Sequence, residues 1–235
     1  MSRPHAGLFG GVILLGMVAC TGPAPGGERR RTPAPRPSVP PLDTIDLPEP
    51  QRRGDLSFEE TLATRRSVRA FTPEPVSLEE LSQLLWAAQG ITADWGGRTA
   101  PSPGALFSPE VYAATPDGLY HYLPEGHRAE VRSNADLRAE LAAAALGQDC
   151  VSGAPLVLAI AAVVSRTAAK YGDRAGRYVT LEAGHIAQNV LLQTVALDLA
   201  TVPVGAFDDG QVARVLALPP GEDPLYLIPV GHAGN

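Results

Sequence analysis

Three arginines and a serine lie within five consecutive residues, at Arg65, Arg66, Ser67 and Arg69. Guanidinium groups this close repel one another, and each can form forked, charge-assisted hydrogen bonds to phosphate oxygens. The pattern therefore predicts a binding site for a ligand that carries a phosphate. A solvated basic helix end, which the helix dipole favours at a C-terminus, is the alternative interpretation of this segment taken alone.

Two capping boxes place the arginine cluster between helices. Ser57–Glu60 and Ser77–Glu80 both have the Ser and Glu spacing with which a helix N-terminus satisfies its free N–H groups. The first box predicts a short helix that carries Arg65 and Arg66 at its end. The second predicts a helix with one apolar face, which Gly90 ends.

The elements that follow do not strictly alternate between helix and strand, so the predicted fold class is α+β. The apolar run 154–164 is typical of a central strand that is buried on both faces. The sequence predicts a loop at 91–109, a hairpin at 110–123, helices at 136–147, 173–200 and 209–218, and further strands at 201–207 and 225–230.

Composition and charge exclude some functions. The formal net charge is −6, which argues against a nucleic-acid partner that needs a basic face. The chain is 45% hydrophobic, which is enough for the core of one globular domain. It has no Rossmann, P-loop or zinc signature, so we expect no metal site.

The N-terminal segment resembles an export signal. A charged start and an apolar run lead to Cys20 in a pattern that resembles the lipobox of bacterial lipoproteins. We therefore predict a lipoprotein signal peptide at 1–20 with Cys20 lipidated, although an ordinary cleaved signal or an uncleaved anchor remains an alternative. Residues 21–54 are rich in Pro, Gly and Arg and are predicted to be a disordered tether, and the folded domain is predicted at 55–235.

The predicted lipidation determines where we expect the protein to be located and whether its cysteines can form a disulfide. A lipid on Cys20 would anchor the protein to a membrane of the bacterial cell envelope. Thr21 follows instead of Asp, which in a Gram-negative cell favours the outer membrane. Cys150 would then have no intramolecular disulfide partner, and we expect a small buried hydrophobe there.

Five motifs together resemble one family in order and in spacing, over about residues 57–232. They are Arg65–Phe71, Pro101–Ala105, Arg174–Tyr178, Glu182–Asn189 and Pro203–Asp209. The chain resembles the nitroreductase superfamily of flavin enzymes, and most closely its SagB/ThcOx-type dehydrogenase branch. The resemblance implies a central mixed sheet flanked by helices, dimerisation through long helices, and FMN bound at the subunit interface.

The resemblance also implies which residues bind FMN. By their positions in the motifs they are Arg65, Arg66, Ser67, Arg69, Pro101, Ser102, Gly104, Gly205, Ala206 and His232. Guanidinium groups suit the phosphate, and a cation near the flavin ring stabilises its anionic reduced form. Many family members have a strongly basic residue at the position of His232, whereas a histidine is only partly charged near neutral pH.

Lys170 and Tyr171 resemble the Lys-Tyr pair of azoline-oxidising members, which is proposed to accept a proton while the flavin accepts a hydride. A Lys or Tyr with a lowered pKa could act as such a base. A solvated helix entry beside Gly172 is the alternative interpretation. The hypothesis is a homodimeric, FMN-dependent oxidoreductase that acts on a small molecule or a peptide. Its rival is a lipid-tethered binding or scaffold protein that keeps the fold without turnover.

Overall fold

The computed structural model describes residues 40–234. The predicted signal peptide, the lipidation site Cys20 and tether residues 21–39 lie outside the described residues. Within 40–234, no helix is both long enough and apolar enough to cross a membrane.

One seven-stranded sheet forms the centre of the domain, in the order β1-β4-β3-β2-β5-β7-β6. The strands are β1 Asp43–Asp46, β2 Pro109–Thr115, β3 Gly118–Leu123, β4 Arg128–Ser133, β5 Leu156–Val163, β6 Ala200–Thr201 and β7 Glu222–Gly231. The strands of 40–234 pair antiparallel, and an isolated bridge between Ser67 and Thr201 adds a parallel contact. The predicted α+β fold with a central sheet flanked by helices is confirmed.

Helices cover both faces of this sheet. They are α1 Phe58–Thr64, α2 Leu78–Gln89, α3 Arg138–Ala144, α4 Asp149–Ser152, α5 Val164–Tyr171, α6 Ala175–Ala196 and α7 Asp209–Val215. Both predicted capping boxes are present, because Ser57 and Ser77 each accept a hydrogen bond from the backbone N–H three residues later, and that Glu side chain accepts one in return.

Strand β5 alternates between two hydrophobic cores. Leu156, Leu158 and Ile160 pack in the core that includes residues of α2 and α6. Val157 and Ala159 pack in the opposite core, with residues of α3, α4 and α7. The prediction of a central strand buried on both faces is therefore confirmed. Because α6 is 22 residues long, it extends for about 33 Å along its face of the sheet.

The predicted boundary between tether and domain at residue 55 is wrong. Strand β1, at Asp43–Asp46, pairs with β4 along its whole length. The side chain of Leu47 is 7% exposed and belongs to the α2 and α6 core. Prolines lie on both sides of this short strand, as they do throughout the segment before it, so composition did not separate the two.

Two other predictions need correction. The predicted strand 201–207 is reduced to β6 and to a single bridge between Val204 and Leu227, because the chain turns away from the sheet after Thr201. Residues 164–171, which were not predicted to be helical, form α5 directly after β5. Lys170 and Tyr171 therefore lie in the last turn of a helix.

The position of Leu47 leads to a stability prediction. Leu47→Ala should lower the free energy of unfolding by about 2 kcal/mol or more, because it removes buried methyl groups from a packed core. Leu42→Ala is the matched control, since Leu42 is 60% exposed, and it should change stability by less than about 0.5 kcal/mol. Urea denaturation measures both variants. Equal effects would mean that residues 42–47 do not pack on the domain.

Candidate functional site

The arginine cluster lies beside one end of the sheet. Arg65 is the residue that ends α1, and the chain then runs next to β6, where the Val68 N–H donates to the Thr201 carbonyl at 3.0 Å. Ser67 forms the bridge with Thr201. Arg65 is half-buried, whereas Ser67 and Arg69 are exposed. This segment is held by its backbone, so its side chains remain available to a ligand.

The three arginines differ in what they contact. Arg66 donates to the carbonyls of Ala63 and Arg65, at 3.0 and 2.7 Å, and so satisfies acceptors at the end of α1. This is the helix-end role that the alternative interpretation predicted. In the described part of the chain, no acidic side chain forms a salt bridge with Arg65 or Arg69. These two are the better candidates for an anion.

His232 lies beside the same segment. The Thr72 N–H donates to the His232 carbonyl at 3.0 Å, and Phe71 bridges to Ala233. The His232 ring nitrogen Nε2 is 3.8 Å from Glu74 Oε1. The structure therefore brings the predicted second clamp next to the arginine segment, but it also places a carboxylate there that competes with a phosphate.

Gly205 and Ala206 follow the bridge between Val204 and Leu227, and both are exposed. The Ala206 carbonyl accepts a hydrogen bond from Gln148 Nε2 at 2.8 Å, which fixes the backbone at this point. A Cβ added to Gly205 would have only an ordinary contact, 3.8 Å from a Tyr226 ring carbon. The packing of the described residues thus does not itself require glycine at 205.

A second group of predicted residues meets at the loop that precedes β2. Gly104 has a φ of +64°, a conformation that favours glycine. A Cβ added there would lie 2.9 Å from both Lys170 Nζ and Tyr171 Oη, so the two predicted catalytic groups converge on the open side of this glycine. Pro101 is exposed, and the Ser102 hydroxyl accepts a hydrogen bond from the Phe107 N–H at 2.8 Å.

Two interactions hold α5 against this loop. The buried hydroxyls of Ser108 and Thr167 are 2.6 Å apart. Arg166 donates to the Phe107 carbonyl at 2.6 Å and to Glu110 Oε1 at 2.7 Å. Because both contacts involve the helix that carries Lys170 and Tyr171, they set where those side chains lie above Gly104.

The two groups of predicted residues lie at opposite ends of the sheet. Leu156, at the start of β5, pairs with Val230, which also pairs with Thr201 beside the arginine segment. Val163, at the other end of β5, leads directly into α5. Seven residue steps along a strand span about 23 Å. Within one chain, the structure does not bring the arginine segment and the Gly104 loop together.

Glu182 is a buried carboxyl group on α6, 1% exposed, that the sequence did not single out as a site residue. Burial raises its pKa to about 7, and the Ser102 hydroxyl, Arg98 and Arg166 oppose this shift. Neither carboxyl oxygen completes a hydrogen bond within 40–234. Only the tertiary fold reveals this residue, because its position on an amphipathic helix does not by itself distinguish a buried Glu from an exposed one.

Arg166 belongs to a charged network on the sheet. His121 has Glu110 at 3.1 Å and Glu130 at 3.2 Å from its two ring nitrogens. Burial alone would lower the pKa of His121, but the two carboxylates together raise it. Burial would likewise raise the pKa of Glu110, whereas His121 and Arg166 hold it below its usual value. The network favours the charged forms and so supports the position of Arg166.

The structure also has a cleft of about 510 Å³ between the segment before α1 and the helices α2 and α6. Its lining includes Arg52, Phe58, Trp86 and Asn189, and none of the predicted site residues. Cys150 is buried, as predicted.

The Nitroreductase family model matches residues 62–232. The chain belongs to the nitroreductase family. It is 43% identical over 196 residues to "Putative nitroreductase MJ1384" of Methanocaldococcus jannaschii, a match that covers 81% of this chain and 98% of that protein. Both groups of predicted site residues lie inside the family match.

Solved structures agree with this assignment. A crystal structure of a "putative nitroreductase" from Ralstonia eutropha JMP134 is 36% identical, with a TM-score of 0.75, and covers 86% of this chain and 95% of that one. The NADPH:FMN oxidoreductase from Vibrio harveyi, complexed with NAD⁺, is 23% identical, with a TM-score of 0.58, over 76% of this chain and 69% of that one. The second likeness shows the nitroreductase fold alone.

The raised pKa of Glu182 makes the stability of this nitroreductase domain depend on pH. The folded chain keeps the Glu182 proton up to about pH 7, whereas the unfolded chain loses it near the ordinary pKa of 4.5. The contribution of Glu182 to stability is therefore most favourable below about pH 4.5 and declines as the pH rises to about 7. Glu182→Gln should remove this decline.

Denaturation of both proteins at a series of pH values measures the difference between them. Glu140→Gln, on the exposed side of α3, is the control and should follow the wild type. A wild-type curve parallel to that of Glu182→Gln between about pH 4.5 and about pH 7 would contradict a raised pKa.

Proposed function

We propose that this protein is an FMN-dependent oxidoreductase of the SagB/ThcOx type that removes a hydride and a proton from its substrate. The observation that carries the proposal is the convergence of Lys170 Nζ and Tyr171 Oη on Gly104, in a loop that has the family motif. Members of the nitroreductase family typically bind flavin. When bound, FMN accepts a hydride at its N5 atom.

The residues present fit this cofactor. Arg65 and Arg69 have the donor groups that a phosphate needs and no acidic partner within the described residues. Ser67 adds a hydroxyl donor between them, and His232 adds a ring N–H donor. Gly104 lacks the side chain that would occupy the space in front of Lys170 and Tyr171. Gly205 and Ala206 supply exposed backbone for close contact with a flat ring.

The site is composite in this proposal. The arginine segment and the Gly104 loop are too far apart in one chain to contact the same ring. Nitroreductase-fold proteins are often dimeric, and a two-fold dimer could place the arginine segment of one chain opposite the Gly104 loop of its partner. We infer that each of two sites combines Arg65, Ser67 and Arg69 of one chain with Ser102, Gly104, Lys170 and Tyr171 of the other.

Lys170 and Tyr171 then act on protons. Tyr171 lies edge-on to Tyr178, with ring centroids 5.2 Å apart, and Lys170 Nζ lies 5.5 Å from the Tyr171 ring centroid. Both groups can carry a proton, and in this proposal the pair accepts the one that the substrate loses as its hydride departs.

The proposal also includes a cellular location and a class of substrate. Lipid attached to Cys20 would hold the domain at the surface of a membrane of the cell envelope. Labelling cells with a fatty acid should mark the wild-type protein and not the Cys20→Ala variant. Because NAD(P)H is scarce outside the cytoplasm, a dehydrogenase of a small molecule or peptide fits this location better than a nitroreductase driven by NAD(P)H.

The arginines supply a direct test of the cofactor. Removing two charge-assisted hydrogen-bond donors with Arg65→Ala and Arg69→Ala should weaken FMN binding by about 100-fold or more, at about 1.5 kcal/mol or more per arginine. Fluorescence titration of purified protein with FMN measures the dissociation constant. Arg128→Ala, at an exposed arginine of β4, is the control and should bind like the wild type. A wild-type protein that binds no FMN would favour the scaffold function instead.

Mixed dimers test whether the site is composite. A chain with Arg65→Ala and Arg69→Ala should retain no flavin, and neither should a chain with Gly104→Leu, whose side chain crowds Lys170 and strains a positive φ. When the two chains are co-expressed, half of the dimers are mixed and each of those has one intact site, so about a quarter of the wild-type flavin content should return. No recovery in isolated mixed dimers would place both groups in sites formed by one chain.

A further inference from the structure

Glu182 is buried in a way that ordinary packing does not explain. Its side chain is 1% exposed, and neither of its oxygens has a hydrogen-bond partner in the described part of the chain. An ionised carboxylate without a partner is strongly disfavoured in a protein interior. Such a group either carries a proton itself or needs an exchangeable partner such as water.

Two neighbouring side chains are also incompletely satisfied. Arg98 Nη1 donates to Gln89 Oε1 at 3.2 Å, but Arg98 Nε and Gln89 Nε2 have no acceptor within 40–234. The positive charge of Arg98 lowers the pKa of Glu182, and the Arg98 guanidinium lies 4.4 Å from the Phe107 ring centroid. Unpartnered donors and acceptors in one buried region are typical of a site that holds water. We call Gln89, Arg98 and Glu182 the buried polar cluster.

Ser102 is the loop residue nearest in its effect to the buried polar cluster, because it lowers the pKa of Glu182. Its oxygen accepts the Phe107 N–H at 2.8 Å, so its own hydroxyl proton remains free to donate. The Ser102 hydroxyl lies close enough to lower the pKa of Glu182 against the effect of burial, although no hydrogen bond of good geometry joins the two. Two residues later, Gly104 is the position on which Lys170 and Tyr171 converge. Ser102 is therefore close to Glu182 and is two residues from the glycine on which the proposed base pair converges.

We propose that Glu182 is a positioning residue that takes up the proton released by the substrate, acting through the Ser102 hydroxyl. The inference rests on the proposed function. With bound FMN as the two-electron oxidant, the substrate would lose hydrogen together with both C–H electrons as a hydride, and Lys170 or Tyr171 would take the proton from the adjacent atom. That proton passes by way of Ser102 to the carboxylate of Glu182, which becomes a neutral carboxylic acid.

Two properties of Glu182 suit this role. Burial raises its pKa to about 7, so it can both gain and lose a proton near neutral pH. Neutralising it would also remove a negative charge from behind the Gly104 loop, which would favour a bound flavin that gains negative charge on reduction. Because Glu182 is only 1% exposed, bulk solvent screens that change in charge weakly, and it acts strongly on its neighbours.

The test is the pH dependence of the midpoint potential of the FMN-loaded protein, which counts the protons taken up with each pair of electrons. Above about pH 7, the wild type should take up one more proton per two electrons than Glu182→Gln does. Glu182→Asp, which keeps a carboxyl group, should restore the additional proton at least in part. Glu140→Gln is the exposed control and should behave as the wild type.

The outcomes separate this inference from the proposed function. A wild-type protein that binds FMN but takes up the same number of protons as Glu182→Gln would overturn the role of Glu182 and leave the oxidoreductase standing. A wild-type protein that binds no FMN would overturn both. If Glu182→Gln does not fold, the wild type alone decides, because the absence of any change in its proton uptake near pH 7 would contradict the role.

Discussion

The burial of β5 on both faces is the constraint on which the rest of the domain depends. A strand with only apolar side chains must be covered by a layer on each side, and here α6 crosses one face from end to end. Its first residues follow α5 at one end of the sheet, and its last residues lead to β6 at the other. The same packing that hides β5 thus fixes the separation between the Gly104 loop and the arginine segment.

Charged residues of the sheet determine the position of the group around Gly104, which includes Lys170 and Tyr171. Arg166 contacts Glu110 on β2 and the Phe107 carbonyl in the loop, so one side chain joins a strand, a loop and α5. Glu110 in turn holds His121. Glu110 and His121 are mostly buried, so losing one leaves the charge of the other uncompensated, whereas Arg166 is an exposed residue that joins this pair to α5.

Local signals predicted most of the elements, and tertiary contacts account for what was missed. The capping boxes and the apolar run of β5 are visible in the sequence because their causes lie within a few residues. Strand β4 alternates charged residues with Ala129 and Val131, a period-two pattern that could have identified it. The start of α5 has no such mark, since β5 passes into it without a turn.

The site was predicted only in part for the same reason. Motif positions identified the residues that converge at Gly104, but the chain order does not show that Arg65 and Ser102 lie at opposite ends of the sheet. Nor does it show that Glu182 is buried, because an acidic residue on a helix faces water in most proteins. Both facts follow from how distant segments pack, which no local pattern encodes.

The two ends of the sheet have a consequence for solubility. An edge strand exposes unpaired N–H and C=O groups on which a strand of another molecule can add, and this can begin aggregation. Here one edge is β1, four residues long with an aspartate at each end, and the other is β6, only two residues long. Both edge strands are short and one carries negative charge, so neither edge favours the addition of a strand from another molecule.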